Sequence, residues 1–301
     1  MIGGQAYRYA RRGAWIAIIV KAVMAAGYGI SGLLGNSTAL LAATADSLGD
    51  MLSSLAVLVG LTVAAALPDR EHPYGHGKAE PVAGKAVAII VTLVGISVLW
   101  KSVWGLFSEA EHAPPESFTI YVALAGIVLN EGLFRYQNHV ARKVSSTALS
   151  ADAWNHRADA LAGVVVLVGV AGARLGGPQW NFLDHAAGAL VALLVLYVGV
   201  RLFHRTSLEL MDTRLPEDQM IAIRSIIERV QGVEGVDMVR ARKSGLVIFL
   251  DVHILVNGQL TVEQGHDIAS QVRLRVKEEM PQVADVLVHV EPYTTSVKEH
   301  L

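Results

Sequence analysis

Two pairs of polar side chains interrupt apolar stretches of the sequence, each with a spacing of four residues. Asp46 and Asp50 lie in "TADSLGDMLSS", and Asn155 and Asp159 lie in "ADAWNHRADAL". This spacing places both members of a pair on one face of a helix, about 6 Å apart. Carboxylate and amide oxygens at that distance can share a hard or borderline divalent cation. The two pairs predict a metal site wherever their helices meet.

The composition indicates that these helices lie in a membrane. Of 301 residues, 52% are hydrophobic and 17% are charged, and the mean hydropathy is +0.42. A bilayer core needs about 20 apolar residues per helix. Six segments meet this length and predict an α-helical membrane protein with six transmembrane helices, at about 14–34, 38–67, 82–107, 118–140, 150–175 and 184–206.

The loops predict the orientation of these spans. Most basic residues that flank the spans fall on one side, whereas the other side carries the acidic segment "SEAEHAPPES". The positive-inside rule then places both termini in the cytoplasm. A formal charge of −2 without a basic block argues against nucleic-acid binding, and the absence of cysteine excludes disulfides and a thiol nucleophile.

The composition becomes charged and amphipathic after Leu215-Pro216. A helix around 220–230, strands at 236–242 and 246–256, a helix at 262–279 and a strand at 284–291 are predicted from their periodicity. The order αββαβ is typical of a small open sheet covered by helices, similar to a metallochaperone. We therefore expect a transmembrane domain at 1–212 and a cytoplasmic domain at 213–301.

The polar pairs should lie at a similar depth, near the middle of the bilayer. A charge at that depth costs about 2.5–3.5 kcal/mol or more, so the carboxylates need a partner. We expect no lysine or arginine at this level except Arg157, which faces another side of its helix. A bound cation is the partner that we expect, although helix-helix hydrogen bonds are the alternative for any single residue.

Two further clusters have the residue types of metal sites. Asp69, His72 and His76 recur at intervals of three and four in the loop after the second span. In the tail, strand alternation turns His253 away from the apolar face, and His289 with Glu291 likewise. Simple solvation of a loop and of a sheet face remains the alternative for both.

Several long motifs make the chain resemble the cation diffusion facilitator family, and its bacterial zinc/iron efflux branch in particular. They are "ALLAATADSLGDMLSS", "HPYGHGKAEPVAG", "LNEGLFRYQNHVARKVSSTALSADAWNHRADAL" and "LMDTRLPED", together with the αββαβ tail. The resemblance implies a homodimeric secondary transporter of the bacterial cytoplasmic membrane, not an enzyme. It would exchange divalent metal ions (Zn²⁺, Fe²⁺ or Mn²⁺) for protons, with no organic cofactor.

The resemblance also implies roles for individual residues. The transport site would be Asp46, Asp50, Asn155 and Asp159, with His156 as an accessory ligand, and the loop site Asp69, His72 and His76. The cytoplasmic site would be Asp237, His253, His266, His289 and Glu291. Lys78 and Asp212 would form an interlocking charge pair near the dimer interface.

Asn155 stands where most zinc transporters of this kind carry histidine. His156 is rotated about 100° around the helix, so we do not expect it to replace that ligand directly. An all-oxygen site should favour iron or manganese over zinc. When empty, carboxylates so close in a low-dielectric site cannot all be ionised, so the metal should displace protons as it binds.

Two other functions deserve comparison. An intramembrane aspartyl protease also uses two buried aspartates, but its signature requires glycine where Ser47 stands and a tyrosine before one aspartate. A family member that senses metal or acts as a membrane assembly partner without transport is the remaining alternative.

Overall fold

The computed structural model describes residues 2–64, 66, 68–107, 113–144, 147–245 and 247–293. The chain forms two compact units. The first comprises Met1–Leu58 with Ala83–His204, and the second comprises Val59–Val82 with Arg205–Leu301.

Six long helices account for most of the first unit. They are α1 (Ile2–Leu34), α2 (Thr38–Ala64), α3 (Ala79–Phe107), α4 (Phe118–Val144), α5 (Thr147–Leu175) and α6 (Phe182–Leu210). Within the described residues, five contain stretches long and apolar enough to cross a membrane: Trp15–Leu34, Ala79–Phe107, Phe118–Arg142, Ala153–Leu175 and Phe182–Leu210. The predicted helical membrane domain is confirmed. Helix α2, which is not among these five, carries Asp46 and Asp50.

Large apolar side chains lie on the outside of these helices. On α3, Leu93, Trp100 and Trp104 are all more than half exposed. Such an apolar exterior suits a lipid environment, where burial of large hydrophobic residues between helices gains little. The space between the helices is filled mainly by small residues, among them Ala39, Ala42 and Ala45 on α2.

Close helix contacts in the first unit depend on glycine at Gly126 of α4. A Cβ atom there would overlap the hydroxyl group of Tyr28 on α1, a residue that is 4% exposed. Any larger residue would have to displace the buried Tyr28 side chain. Small residues at such points let membrane helices approach each other closely.

The second unit contains the small α+β domain. Its elements are α7 (Glu217–Glu228), β1 (Gly235–Ser244), β2 (Val247–Val256), α8 (Val262–Glu279) and β3 (Val283–Pro292). The strand order is β1-β2-β3, with β1 antiparallel and β3 parallel to β2. The predicted order αββαβ is confirmed.

Side-chain alternation along β2 separates a core face from a polar face. Leu250, Val252 and Ile254 are buried together with Ile227 of α7 and Val276 of α8. Helix α8 begins with a capping box, in which Thr261 and Gln264 exchange side-chain-to-backbone hydrogen bonds. The helices therefore cover one face of the sheet and leave the other face available for His253.

Candidate metal centres

The first turn of α2 is fixed to α6 by a buried carboxylate. Asp184, 2% exposed, accepts hydrogen bonds from the Ser37 hydroxyl at 2.5 Å and from the Thr38 amide at 2.6 Å. The Thr38 hydroxyl donates to the same side chain at 2.8 Å. A carboxylate at a helix N-terminus satisfies free amides and interacts favourably with the helix dipole. This contact, which the sequence did not reveal, anchors the helix that carries Asp46 and Asp50.

Three carboxylates from α2 and α5 converge inside the first unit. Asp46, Asp50 and Asp159 each offer a ligand oxygen, and these oxygens lie within 4.8 Å of one another. Asp50 and Asp159 retain only 25% and 12% side-chain exposure. Oxygen atoms that are close and partly buried can surround one divalent cation.

A lysine of α1 reaches the same carboxylates, which corrects the expectation that no cationic side chain besides Arg157 lies at this level. The Nζ atom of Lys21 lies 2.6 Å from Oδ2 of Asp50 and donates a hydrogen bond of 2.7 Å to Oδ2 of Asp159. The side chain is 2% exposed. The available signal was a single lysine inside the apolar run "AWIAIIVKAVMAAGYGI". Because this run lies in another helix, the sequence alone did not connect it to the aspartates.

The α5 residues near Asp159 differ in their orientation. The side chain of Asn155 is exposed, whereas His156 is 5% exposed with Nδ1 3.7 Å from Oδ2 of Asp159. Arg157 lies over the rings of Phe134 and Trp154, on another face as expected. The histidine thus lies closer to the carboxylate cluster than its rotation around the helix suggested.

The loop residues Asp69, His72 and His76 form a second cluster, with ligand atoms within 4.8 Å of one another. Oδ1 of Asp69 accepts the His72 amide at 2.6 Å, and its Oδ2 lies 3.4 Å from Nε2 of His76. The amide of His72, followed by its ring and the amide of Glu71, lowers the pKa of the Asp69 carboxyl below its ordinary value. The carboxylate therefore stays ionised at neutral pH, in the form that binds a cation.

The third cluster lies on the polar face of the sheet. His253 pairs directly with His289 across the parallel strands β2 and β3, and their ring centroids are 4.7 Å apart. Oε1 of Glu291 lies 2.6 Å from Nδ1 of His253 and 3.5 Å from Nε2 of His289. The three side chains bring ligand atoms within 4.8 Å of one another.

The other two residues proposed for this site, Asp237 and His266, do not belong to that group of three. The β1–β2 register shifts between Val236 and Met238, and Asp237 is exposed at this irregularity. His266 of α8 is exposed and lines a cleft of about 440 Å³ that Glu291 also lines.

Lys78 and Asp212 form a direct ion pair within the second unit. Their Nζ and Oδ1 atoms are 3.0 Å apart, and the side chains are 43% and 38% exposed. Arg242 approaches the same carboxylate at 3.7 Å. Whether the pair lies at a dimer interface stays a prediction.

Polar clusters with the ligand chemistry of divalent cations, one of them inside a bundle of apolar helices, define a metal-handling membrane protein. The match to known families makes this specific. Residues 14–211 match the cation efflux transmembrane domain, and residues 215–293 match the cation efflux protein cytoplasmic domain. The chain belongs to the cation diffusion facilitator family of divalent metal efflux transporters, as its motifs predicted.

Two relatives are similar over most of this chain, and a solved structure is similar over about a quarter of it. Metal tolerance protein C1 of Arabidopsis thaliana is 33% identical over 90% of this chain, which spans 61% of that protein. Manganese efflux system protein MneP of Bacillus subtilis is 33% identical over 94% of this chain and 96% of its own length. A solved MamM-CTD structure is 35% identical, with a TM-score of 0.25, and covers 26% of this chain and 98% of that one.

Proposed function

We propose that the chain is a proton-coupled antiporter that exports Zn²⁺, Fe²⁺ or Mn²⁺ from the cytoplasm by alternating access. The observation that carries this proposal is the convergence of Asp46, Asp50 and Asp159 from two helices of the membrane unit. Three carboxylates inside an apolar bundle need positive charge. Lys21 supplies one positive charge, whereas a divalent cation supplies two. The efflux activity of the family gives this cation a direction of movement.

The types of ligand atom support a transition metal as the substrate. They also indicate a weaker preference for zinc than in a site with more histidine ligands. The cluster is built of oxygens, and the imidazole of His156 offers a nitrogen ligand 3.7 Å from Oδ2 of Asp159. Asn155 belongs to the proposed site through the family resemblance. Oxygen ligands suit Mn²⁺ and Fe²⁺, whereas imidazole also suits Zn²⁺. The similarity to a protein named for manganese efflux supports Mn²⁺ as one substrate.

Proton exchange would follow from the same carboxylates. Neighbouring carboxylates share protons when no cation is bound, and a metal ion displaces those protons because it binds the ionised form. Opening towards the cytoplasm with metal, and towards the other side with protons, would couple export to the inward proton gradient. Both termini would then lie in the cytoplasm of a bacterial cell.

The remaining clusters would regulate this transport. The loop residues Asp69, His72 and His76 and the sheet residues His253, His289 and Glu291 would bind cytosolic metal, with Asp237 and His266 as further ligands. A homodimer would form through a cytoplasmic domain of residues 213–301, and residues 1–212 would form the membrane domain. Lys78 and Asp212 would lock the protomers together at the membrane surface.

Flux through reconstituted protein tests the transport site. Proteoliposomes that contain a metal-sensitive dye should report Mn²⁺ or Zn²⁺ uptake driven by a pH gradient. Asp50→Asn and Asp159→Asn preserve side-chain size but remove the charge, and we expect flux to fall to the background of empty liposomes. Asp251→Asn, on the exposed face of β2, is the matched control. Unchanged flux in both site variants would refute the proposal.

The same assay decides whether the chain acts instead as a metal-responsive partner without transport. In that case the unaltered chain gives no flux above empty liposomes, although it still binds metal. A flux that depends on Asp50 excludes this second function.

A further inference from the structure

A buried ammonium group lies where the proposed substrate would bind. Nζ of Lys21 is 2.6 Å from Oδ2 of Asp50 and 2.7 Å from Oδ2 of Asp159. The contact with Asp159 is a charge-assisted hydrogen bond, and the contact with Asp50 is a direct ion pair. Neither distance leaves room for an ion between the partners. The lysine therefore uses two of the oxygens that the metal would need.

A divalent ion and this ammonium group exclude each other from the same oxygens. Carboxylate oxygens bind transition-metal ions at about 2.0–2.2 Å, so an ion held by Asp50 and Asp159 would lie within a few ångströms of Nζ. The repulsion between two cations at such a separation is strong in a site shielded from water. Binding of the metal requires the ammonium group to leave.

We propose that Lys21 is a tethered competitor of the transported cation. Its ammonium group closes the cluster of Asp46, Asp50 and Asp159, and it must move away before metal enters. The flexible four-carbon stem of lysine permits this movement without displacement of α1. The inference rests on the proposed function, because it assigns Lys21 a role at the same site.

This competition weakens the apparent affinity for every divalent ion. It does not change the order in which the site prefers one metal over another. The apparent Kd for a cation equals its intrinsic Kd divided by the fraction of clusters that the ammonium group has left. The factor is the same for every divalent ion. Abundant ions that bind oxygen sites weakly, such as Mg²⁺, are thereby kept from occupying the site, whereas a tighter-binding transition metal still enters.

Mn²⁺ binding to the full chain in detergent measures this competition. The binding is followed by loss of the electron paramagnetic resonance signal of free Mn²⁺. The background carries His72→Ala, His76→Ala, His253→Ala and His289→Ala, so that the loop and sheet clusters do not contribute. Lys21→Met removes the charge at similar length, and we expect the Kd to fall about ten-fold if about one cluster in ten is open in the parent.

Two further variants separate competition from simple disturbance of the fold. Lys21→Arg keeps a cation in place and should not lower the Kd. Lys85→Met removes a lysine whose ammonium group lies 4.8 Å from the ring centre of Phe203, and it should leave the Kd unchanged. If Lys21→Met does not fold, Lys21→Gln is measured in its place, with the same expected direction.

The outcomes distinguish this inference from the function on which it rests. A Kd for Mn²⁺ that is unchanged or higher in Lys21→Met overturns the proposal that Lys21 competes with the metal. If the Kd for Mn²⁺ falls and the Kd for Mg²⁺ does not fall by the same factor, Lys21 does not weaken the binding of all divalent ions equally. If Asp50→Asn and Asp159→Asn bind Mn²⁺ as the background does, the proposed transport site itself fails.

Discussion

Asn155 and His156 are neighbours in α5, yet the structure buries only the histidine. His156 is 5% exposed with Nδ1 3.7 Å from Oδ2 of Asp159, whereas the amide of Asn155 is exposed. The two residues are therefore not equivalent as donors to the carboxylate cluster. Their separate substitution can show which of them affects the choice of metal.

Replacement of His156 by alanine should reduce the preference for zinc over manganese by about ten-fold, which corresponds to about 1.4 kcal/mol of lost differential binding. The reason is that imidazole nitrogen favours zinc, whereas the remaining oxygens suit manganese. Flux in proteoliposomes with both metals present measures the ratio. Asn155→Ala is the matched control and should change it less.

The converse result would identify the ligand that the family resemblance implies. If Asn155→His raises zinc flux strongly and His156→Ala leaves the ratio unchanged, residue 155 binds the metal in another conformation of the bundle. The expectation based on His156 would then be wrong.

Spacing and hydropathy predicted the helices and placed Asp46, Asp50 and Asp159 at a similar depth, because helical periodicity is a local property. The family resemblance then assigned the two pairs to one site. Lys21 was missed for a physical reason. Its partners lie in α2 and α5, and a sequence does not state which helices are neighbours or how they are rotated. Asp184 was missed for the same reason, since its partners belong to the beginning of another helix.

Loss of the Asp184 carboxylate should destabilise the membrane unit. Asp184→Ala leaves buried donors of Ser37 and Thr38 without their acceptor, which costs about 3 kcal/mol. Thermal unfolding in detergent should show a lower Tm than for the unaltered chain. Asp218→Ala, in the exposed first turn of α7, is the control. An equal Tm in both variants would mean that other contacts hold the start of α2.

The charge of Asp69 should determine metal binding at the loop. Asp69→Asn keeps the shape of the side chain but removes the carboxylate that lies near both His72 and His76, so loop affinity should fall about ten-fold or more. Glu71→Gln changes an exposed neighbouring acid outside the cluster and is the control. Titration of the full chain with Zn²⁺, in a background without His253 and His289, measures the effect. Equal affinity in the two variants would exclude Asp69 as a ligand.

The sheet cluster should couple metal binding to the stability of the second unit. A ligand present at 100 times its Kd stabilises a protein by about 2.7 kcal/mol. Glu291→Gln should abolish most of the Zn²⁺-dependent increase in Tm, because the carboxylate contacts both histidines. Asp237→Asn and His266→Ala should reduce it less, since these residues lie outside the group of three.

An equal loss in all three variants would change the interpretation of this site. It would indicate that Asp237 or His266 reaches the metal from the second copy of a dimer. The measurement therefore also tests the five-residue site expected from the family.

The sequence predicted the small domain more completely than the membrane site. Alternation along β2 identified both the buried Leu250 and the outward His253, because strand geometry fixes opposite faces for successive residues. The bulge at Asp237 was not predictable, since it depends on pairing with β2. A set of ligands from several elements is difficult to predict because the sequence does not state how those elements pair or pack.

The parallel pairing of β2 with β3 has a consequence for biosynthesis. His253 emerges from the ribosome before α8, whereas His289 and Glu291 follow with the closing strand. A nascent chain that ends before that strand contains only one of the three side chains of this cluster. Metal binding at this cluster, as proposed above, would therefore require the completed domain.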